Sequence, residues 1–218
     1  MHPRVSDRLS EAKHAAILAA ATRAFLERGY AAAAMDDVAR DAGVAKQTVY
    51  THFGSKAALF RAIVDSLAAD LLAPLSVGDV RNAGPHTLLL DLAERFIHQV
   101  VDPVSVRLLR LLAAEAPRFP DLAAMVLQAG PERLIAELAA YLDRHAKAGR
   151  LSVDCPRMAA EQFFGALRGN FQITALLLAE PETATVTPDR VAAYARSVVA
   201  AFLRGHHSQF DEPAAEKR

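Results

Sequence analysis

Several things are scarce in this chain, and each scarcity narrows what it can be. A single cysteine, Cys155, rules out an intramolecular disulfide, fits a reducing compartment, and reads as a small buried or half-buried residue. There is no excess of either charge, with 25 Lys and Arg against 25 Asp and Glu, so binding to a polyanion cannot rest on an overall cationic chain. Long apolar runs are missing too. "ITALLLA", interrupted by Thr174, falls far short of the roughly 20 residues needed to span a bilayer, and "MHPRVSDRLSEAKH" lacks the apolar core of a signal peptide. The expectation is a cytoplasmic protein with no membrane partner. Catalytic signatures are also lacking: no Gly-rich phosphate loop, nucleophile motif or HExxH occurs, and Cys155 has no evident base. Neither an enzyme nor a cofactor is expected. His206-His207 with Asp211 and Glu212 could in principle hold a metal, but they read as a solvated tail, so no metal is expected.

What is present is helix. The chain is 52% hydrophobic, alternating β-branched runs are absent, and Ala and Leu recur at helical spacing, so the fold class is all-α. Expected helices are Ser10 to Arg28, stopped by Gly29; two short ones, Asp36 to Ala42 and Lys46 to Phe53; and Lys56 to about Leu72, after the stop and cap of Gly54-Ser55. Six more are each opened by a proline: Pro85 to Val101, Pro103 to Ala116, Pro120 to Gly130, Pro131 to Ala148, Pro156 to Ala179 and Pro188 to Arg204. The Pro- and Gly-rich "APLSVGDVRNAGP" marks a seam. The expected division is 1–55, 56–84 as connecting helix and seam, 85–205, and a flexible tail at 206–218.

The charge balance hides a local asymmetry. From Ala42 through Val64 there is no acidic residue, while Lys46, His52, Lys56 and Arg61 all fall within it. Two short helices joined by a tight glycine turn form a helix-turn-helix, whose second helix enters the DNA major groove. On a helical wheel Val49 and Phe53 share one side, and Gln47, Thr48, Thr51 and His52 the other. Gln can pair bidentately with adenine, Thr can meet a thymine methyl or a phosphate, and His and Tyr can donate to phosphate. Lys56 opposes the dipole of the helix it opens, a placement that a neighbouring phosphate would convert into a paired site.

The stretch "AAMDDVARDAGVAKQTVYTHFGSKAALF", preceded by "ILAAATRAFLERGY", resembles the DNA-binding domain of tetracycline-repressor-type bacterial regulators over about residues 12 to 60. The resemblance implies an all-helical, homodimeric, ligand-responsive repressor bound to a double-stranded operator. It places Gln47, Thr48, Tyr50 and His52 on the recognition helix and Lys56 on phosphate; Lys46 and Thr51 of the same helix are further DNA-binding candidates. Ala34 and Ala45 depart from the pattern, since the family usually has Ser or Thr at the first and Ser at the second. Each loses a cap worth about 0.5–2 kcal/mol.

The C-terminal half offers two further readings. The Pro156 to Ala179 helix is apolar nearly all round, Gly165 and Gly169 permit close approach, and with the last helix it could pair with its symmetry mate. Candidate interface residues are Gly165, Gly169, Leu176, Tyr194, Val198 and Phe202. Candidate pocket walls are Phe96, Leu108, Leu111, Phe163, Leu167 and Phe171, with Arg107 or Asn170 orienting a small-molecule effector; His98, Arg110, Gln128 and Gln172 are further polar candidates. "RLLRLLAAEAPRFPDL", "GRL" and "AAEQFFGAL" resemble the C-terminal domain of the AefR-like group within that family. The reading is a dimeric repressor, bound to an inverted repeat and released by a small, mostly apolar molecule. An activator of the same fold, or a helical carrier with an idle DNA-binding head, are the alternatives.

Overall fold

The computed structural model describes residues 5–76, 84–178 and 186–206, with side chains from residue 11 onward. The tail after His206, including His207, Asp211 and Glu212, and most of the expected seam lie outside the described residues.

The order of elements is α1 (Val5–Ala32), α2 (Met35–Asp41), α3 (Lys46–Phe53), α4 (Lys56–Ser76), α5 (Pro85–Val101), α6 (Pro103–Glu115), α7 (Pro120–Leu127), a π turn (Gln128–Glu132), α8 (Arg133–Lys147), α9 (Pro156–Leu177) and α10 (Pro188–Gly205). No strand occurs among the described residues. Prolines open α5, α6, α7, α9 and α10, where a missing N–H costs nothing. Pro131 does not open a helix as expected. It lies inside the π turn, whose wider register accommodates a ring that an α-helix would force against the carbonyl four residues back. α4 likewise outruns its expected end, carrying Pro74 within its last turn.

The chain gathers into two compact units, and they do not follow the expected linear division. Met1–Ala68 and Arg107–Gly130 form the first, Ala69–Val106 and Pro131–Arg218 the second. The reason is burial. The helix-turn-helix head leaves apolar surface on α1 and α4, and Leu108, Leu122 and Val126 of α6 and α7 join Ile17, Phe25, Val38, Val49, Leu59 and Phe60 in one core. Aromatic rings fill its centre, with Phe25 against Phe60 and Tyr30 against Phe119, each pair 5.1 Å between centroids. Burying such a side chain fully contributes about 1.5–3 kcal/mol.

In the second unit α8 packs on α9, and α5 on α9 and α10. Leu89, Leu92, Ile97, Leu138, Leu142, Leu167 and Val199 are buried there. α9 is not one straight rod: Gly169 (φ 43°, ψ −139°) breaks it. Two sequence expectations are corrected in this unit. Cys155 is exposed rather than buried, because it occupies the N-cap of α9. His206, assigned to the tail, is packed: its Nδ1 lies 2.8 Å from the Phe202 carbonyl and its ring stacks on Phe202.

Candidate nucleic-acid interface

The turn between α2 and α3 is built as the spacing requires. Gly43 takes a positive φ of 66°, and backbone bonds from Gly43 N to Arg40 O and from Val44 N to Ala39 O close the corner. Val38 and Ala39 are buried beneath it, with Ala42 and Val44 packed alongside. α3 is held to the core by Val49, which is fully buried, and half-buried Phe53. Lys46, Gln47, Tyr50, Thr51 and His52 are exposed, and Thr48 is half-buried. Neither Ala34 nor Ala45 supplies a side-chain cap, whereas Ser55 does: its Oγ accepts from Ala58 N at 3.1 Å.

The electrostatics refine the sequence picture. The stretch free of acids in sequence is not free of them in space, because Asp36 of α2 accepts a hydrogen bond from Lys46 Nζ at 2.8 Å. That bond raises the lysine pKa. Lys46 also lies 5.7 Å from the Tyr50 ring centroid. Asp37 is gripped by Arg40 and by Arg28, and the Arg40 hydrogen bond chiefly holds its carboxyl below the usual range. His52 Nδ1 sits 2.8 Å from Thr48 O, so that nitrogen carries the proton. Nε2 is then an acceptor in the neutral ring and a donor to phosphate only in the imidazolium.

Lys56 has partners that its sequence position did not suggest. Its ammonium donates to Ala31 O at 2.8 Å and Ala33 O at 3.1 Å, and lies 4.9 Å from the Tyr30 ring centroid. α1 is interrupted by Gly29 (φ 79°), and carbonyls beyond that break lack the ordinary continuation of a helix. The cation that opposes the dipole of α4 therefore complements the end of α1. Two of its three N–H groups are used, and the third remains for a further acceptor.

The remaining candidate residues divide between the units. Leu108 is buried in the core of the first, Leu111 packs against it, and exposed Arg107 donates to Leu26 O at 3.4 Å. Phe96, Phe163, Leu167 and Phe171 are buried in the second unit, where Phe96 meets Phe164 at 4.9 Å. Asn170 and Gln128 are exposed, Gln172 and Arg110 half-buried. His98 lines an open cleft of about 340 Å³ with Asp70, Leu71, Arg95, Gln99 and Asp102. Of the proposed interface residues, Gly165 and Gly169 are exposed, and Leu176, Tyr194 and Val198 are half-buried. Phe202 is already buried in the protomer, edge-on to Phe163 at 5.1 Å. The sequence reading missed Tyr141 and His145 of α8, both buried. A signal was available: with Leu134, Leu138 and Leu142 they complete the apolar stripe of that helix.

No group of three or more His, Cys, Asp or Glu side chains suited to a metal occurs among the described residues, and no described helix is long and apolar enough to cross a membrane. A family model for bacterial regulatory proteins of the tetR family matches residues 17–63, and one for the C-terminal domain of AefR-like transcriptional repressors matches residues 87–207. The chain is similar to a TetR-family transcriptional regulator from Mesorhizobium loti, with 30% identity, a TM-score of 0.74, and coverage of 94% of this chain and 100% of that one. It is similar also to the flavonoid-responsive regulator FrrA, with 31% identity, a TM-score of 0.68, and coverage of 90% and 98%. Among curated proteins, the HTH-type transcriptional activator FasR of Mycolicibacterium smegmatis is 48% identical over 48 residues, 22% of each chain. The HTH-type transcriptional regulator TtgR of Pseudomonas putida is 47% identical over 53 residues, 24% of this chain and 25% of that protein. The matches thus span about a quarter of these two curated relatives. A buried helix-turn-helix scaffold with an outward polar recognition helix, joined to an AefR-like helical domain, places the chain in the tetR family of bacterial regulatory proteins, as a DNA-binding transcriptional regulator and not an enzyme.

Proposed function

We propose that this regulator is a homodimeric repressor that holds an inverted-repeat operator through α3 of each copy and is released by a small, mostly apolar molecule bound in its C-terminal helices. The observation that carries the DNA contact is α3 itself, anchored by Val49 while Lys46, Gln47, Tyr50, Thr51 and His52 stand in solvent. Gln47 reads a base edge; Thr48, Tyr50 and His52 position the helix on phosphates, with Lys46 and Lys56 as the cations. Repression is favoured by the AefR-like repressor description of residues 87–207. FasR, an activator, is similar over 48 residues only.

The dimer is supported by the outward face of α9. Met158, Ile173 and Leu177 are large apolar residues in solvent, 55%, 49% and 75% exposed, and the exposed glycines 165 and 169 lie between them. Similarity to a flavonoid-responsive regulator supports an aromatic effector, and Phe96, Phe163, Leu167 and Phe171 supply apolar walls within one unit. α4 belongs to both units, Lys56–Ala68 to the first and Ala69–Ser76 to the second, which supports it as the connecting lever. Tenfold release from the operator needs about 1.4 kcal/mol of coupling.

The test is the affinity of the purified protein for DNA upstream of its own gene against random DNA at physiological salt, with and without aromatic compounds. The repressor reading requires specific binding that a bound compound weakens. Equal affinity for both DNAs would favour the carrier with an idle head, and specific binding unmoved by compounds shown to bind would remove the effector.

A further inference from the structure

Two buried polar atoms on α8, the Tyr141 hydroxyl and Nδ1 of His145, have no hydrogen-bond partner among the described residues. Tyr141 is fully buried and His145 is 4% exposed. They lie one helical turn apart on one face, their ring centroids separated by 4.2 Å and their planes tilted by 34°. Buried hydroxyls and imidazoles ordinarily find partners, because leaving them unpaired forfeits their hydration with nothing in return. Two such groups side by side make a buried polar spot.

The end of α8 that carries them is fixed in place. Arg150 N and Leu151 N donate to His145 O at 3.0 and 3.4 Å, and Ser152 N donates to His206 O at 2.8 Å. His206 stacks on Phe202 at 4.3 Å, and Phe202 meets Phe163 at 5.1 Å. The backbone thus ties the polar spot to the ends of α8 and α10, where an aromatic run begins and continues through Phe163 and Phe164 to Phe96.

We infer that Tyr141 and His145 are the polar anchor of the effector site, and that the effector presents to them the hydroxyl of a phenol. The inference rests on the reading of the second unit as the effector-binding one. A tyrosine hydroxyl both donates and accepts, and a neutral imidazole Nδ1 does one or the other according to its tautomer. A phenolic hydroxyl, able to do both at once, satisfies the pair in either tautomer, while an ether or ketone can only accept. A carboxylate fits poorly: it would bring a full charge into a site whose nearby cations, Arg144 and Arg150, are exposed to solvent and cannot offset its lost hydration. Burial holds His145 neutral, and the charges of Arg144 and Arg150 push the same way. An aromatic body also suits the adjacent rings of Tyr141 and His145 themselves.

Titration calorimetry of the full chain with 2-naphthol, 2-methoxynaphthalene and 2-naphthoate tests this. Wild type should bind 2-naphthol about tenfold more tightly than either analogue, and Tyr141→Phe and His145→Phe should each weaken 2-naphthol about fivefold to tenfold while leaving 2-methoxynaphthalene unchanged. Tyr141→Phe removes one oxygen that has no partner among the described residues, so the variant should fold and its melting temperature should hold or rise. Unchanged 2-naphthol affinity in both variants, or no binding by wild type, overturns the anchor. The first result would mean that the pair holds a buried water only. Operator release is scored separately: 2-naphthol binding that depends on the pair but leaves operator affinity unchanged supports the anchor and removes the ligand-released repressor.

Discussion

Gly169 and Tyr194 share one space: a Cβ on the glycine would lie 2.5 Å from the tyrosine hydroxyl, which donates to Ala166 O at 2.8 Å. The break in α9 and the hydroxyl that fills it are therefore one feature. Gly169→Ala meets both the collision and a backbone conformation costly to any other residue, so it should destabilise the protein by at least about 1–3 kcal/mol in urea denaturation. Adding Tyr194→Phe should recover the part due to collision and not the part due to φ; full recovery would show that the backbone at 169 can relax.

Lys56 should matter to folding before it matters to DNA. Lys56→Met loses both bonds to the end of α1 and should lower stability by about 1–2 kcal/mol without any operator present. Its remaining N–H is expected on a phosphate, so the slope of log affinity against log salt should also fall by about 0.9 at a temperature where the variant is fully folded. An unchanged slope with lowered stability would leave Lys56 a purely structural residue.

If Lys46 meets DNA as proposed, Asp36 competes for it. Asp36→Asn should raise affinity for operator and random DNA alike by several-fold at low salt, with the gain shrinking as salt rises, in fluorescence anisotropy titrations. Folding should change little, because so exposed an ion pair contributes about 0–1 kcal/mol.

The proposed dimer contact is best probed from side chains that the single chain leaves in solvent. Ile173→Glu with Leu177→Glu should give a folded monomer by sedimentation, with an unchanged helical circular dichroism spectrum. A glutamate at Phe202 would instead break the packing on Phe163 and report on folding. A clean dimer from the double variant would move the interface off this face.

Stability should fall at both ends of the pH scale through one pair of rings. Burial holds His145 below its ordinary 6.5, so its contribution is complete above about pH 6.5 and is lost as pH falls through the depressed folded value. Burial pushes Tyr141 up to about 12 from 10.0, so its contribution is complete below about pH 10 and is lost as pH rises toward 12. Melting temperatures should show a flatter acid limb in His145→Phe and a flatter alkaline limb in Tyr141→Phe.

What could be read in advance was whatever the local chain dictates. Prolines at Pro85, Pro103, Pro120, Pro156 and Pro188 open helices because the first turn makes no use of the missing N–H, and the polar side of α3 follows from where Val49 and Phe53 must point. Pro131 misled because the same residue also fits a π turn, and the sequence does not distinguish the two registers. Long-range partnerships were illegible for a different reason. Nothing near Lys56 in sequence announces the carbonyls of Ala31 and Ala33, and Leu108 looks like any apolar helix residue until the small head is found to need α6 and α7 for its core. Tyr141 and His145 were hidden by their regularity, in step with the leucines around them.

The four tyrosines fall one to a place: Tyr30 under the Lys56 ammonium, Tyr50 on the recognition helix, Tyr141 in the buried pair and Tyr194 in the α9 break. With no tryptophan in the chain, no indole emission masks them. The protein is therefore its own optical instrument. A single Tyr50→Trp replacement would fluoresce against a dark background and report arrival on DNA, while the other three rings, replaced one at a time by phenylalanine, would tell which part of the molecule each change in tyrosine emission belongs to.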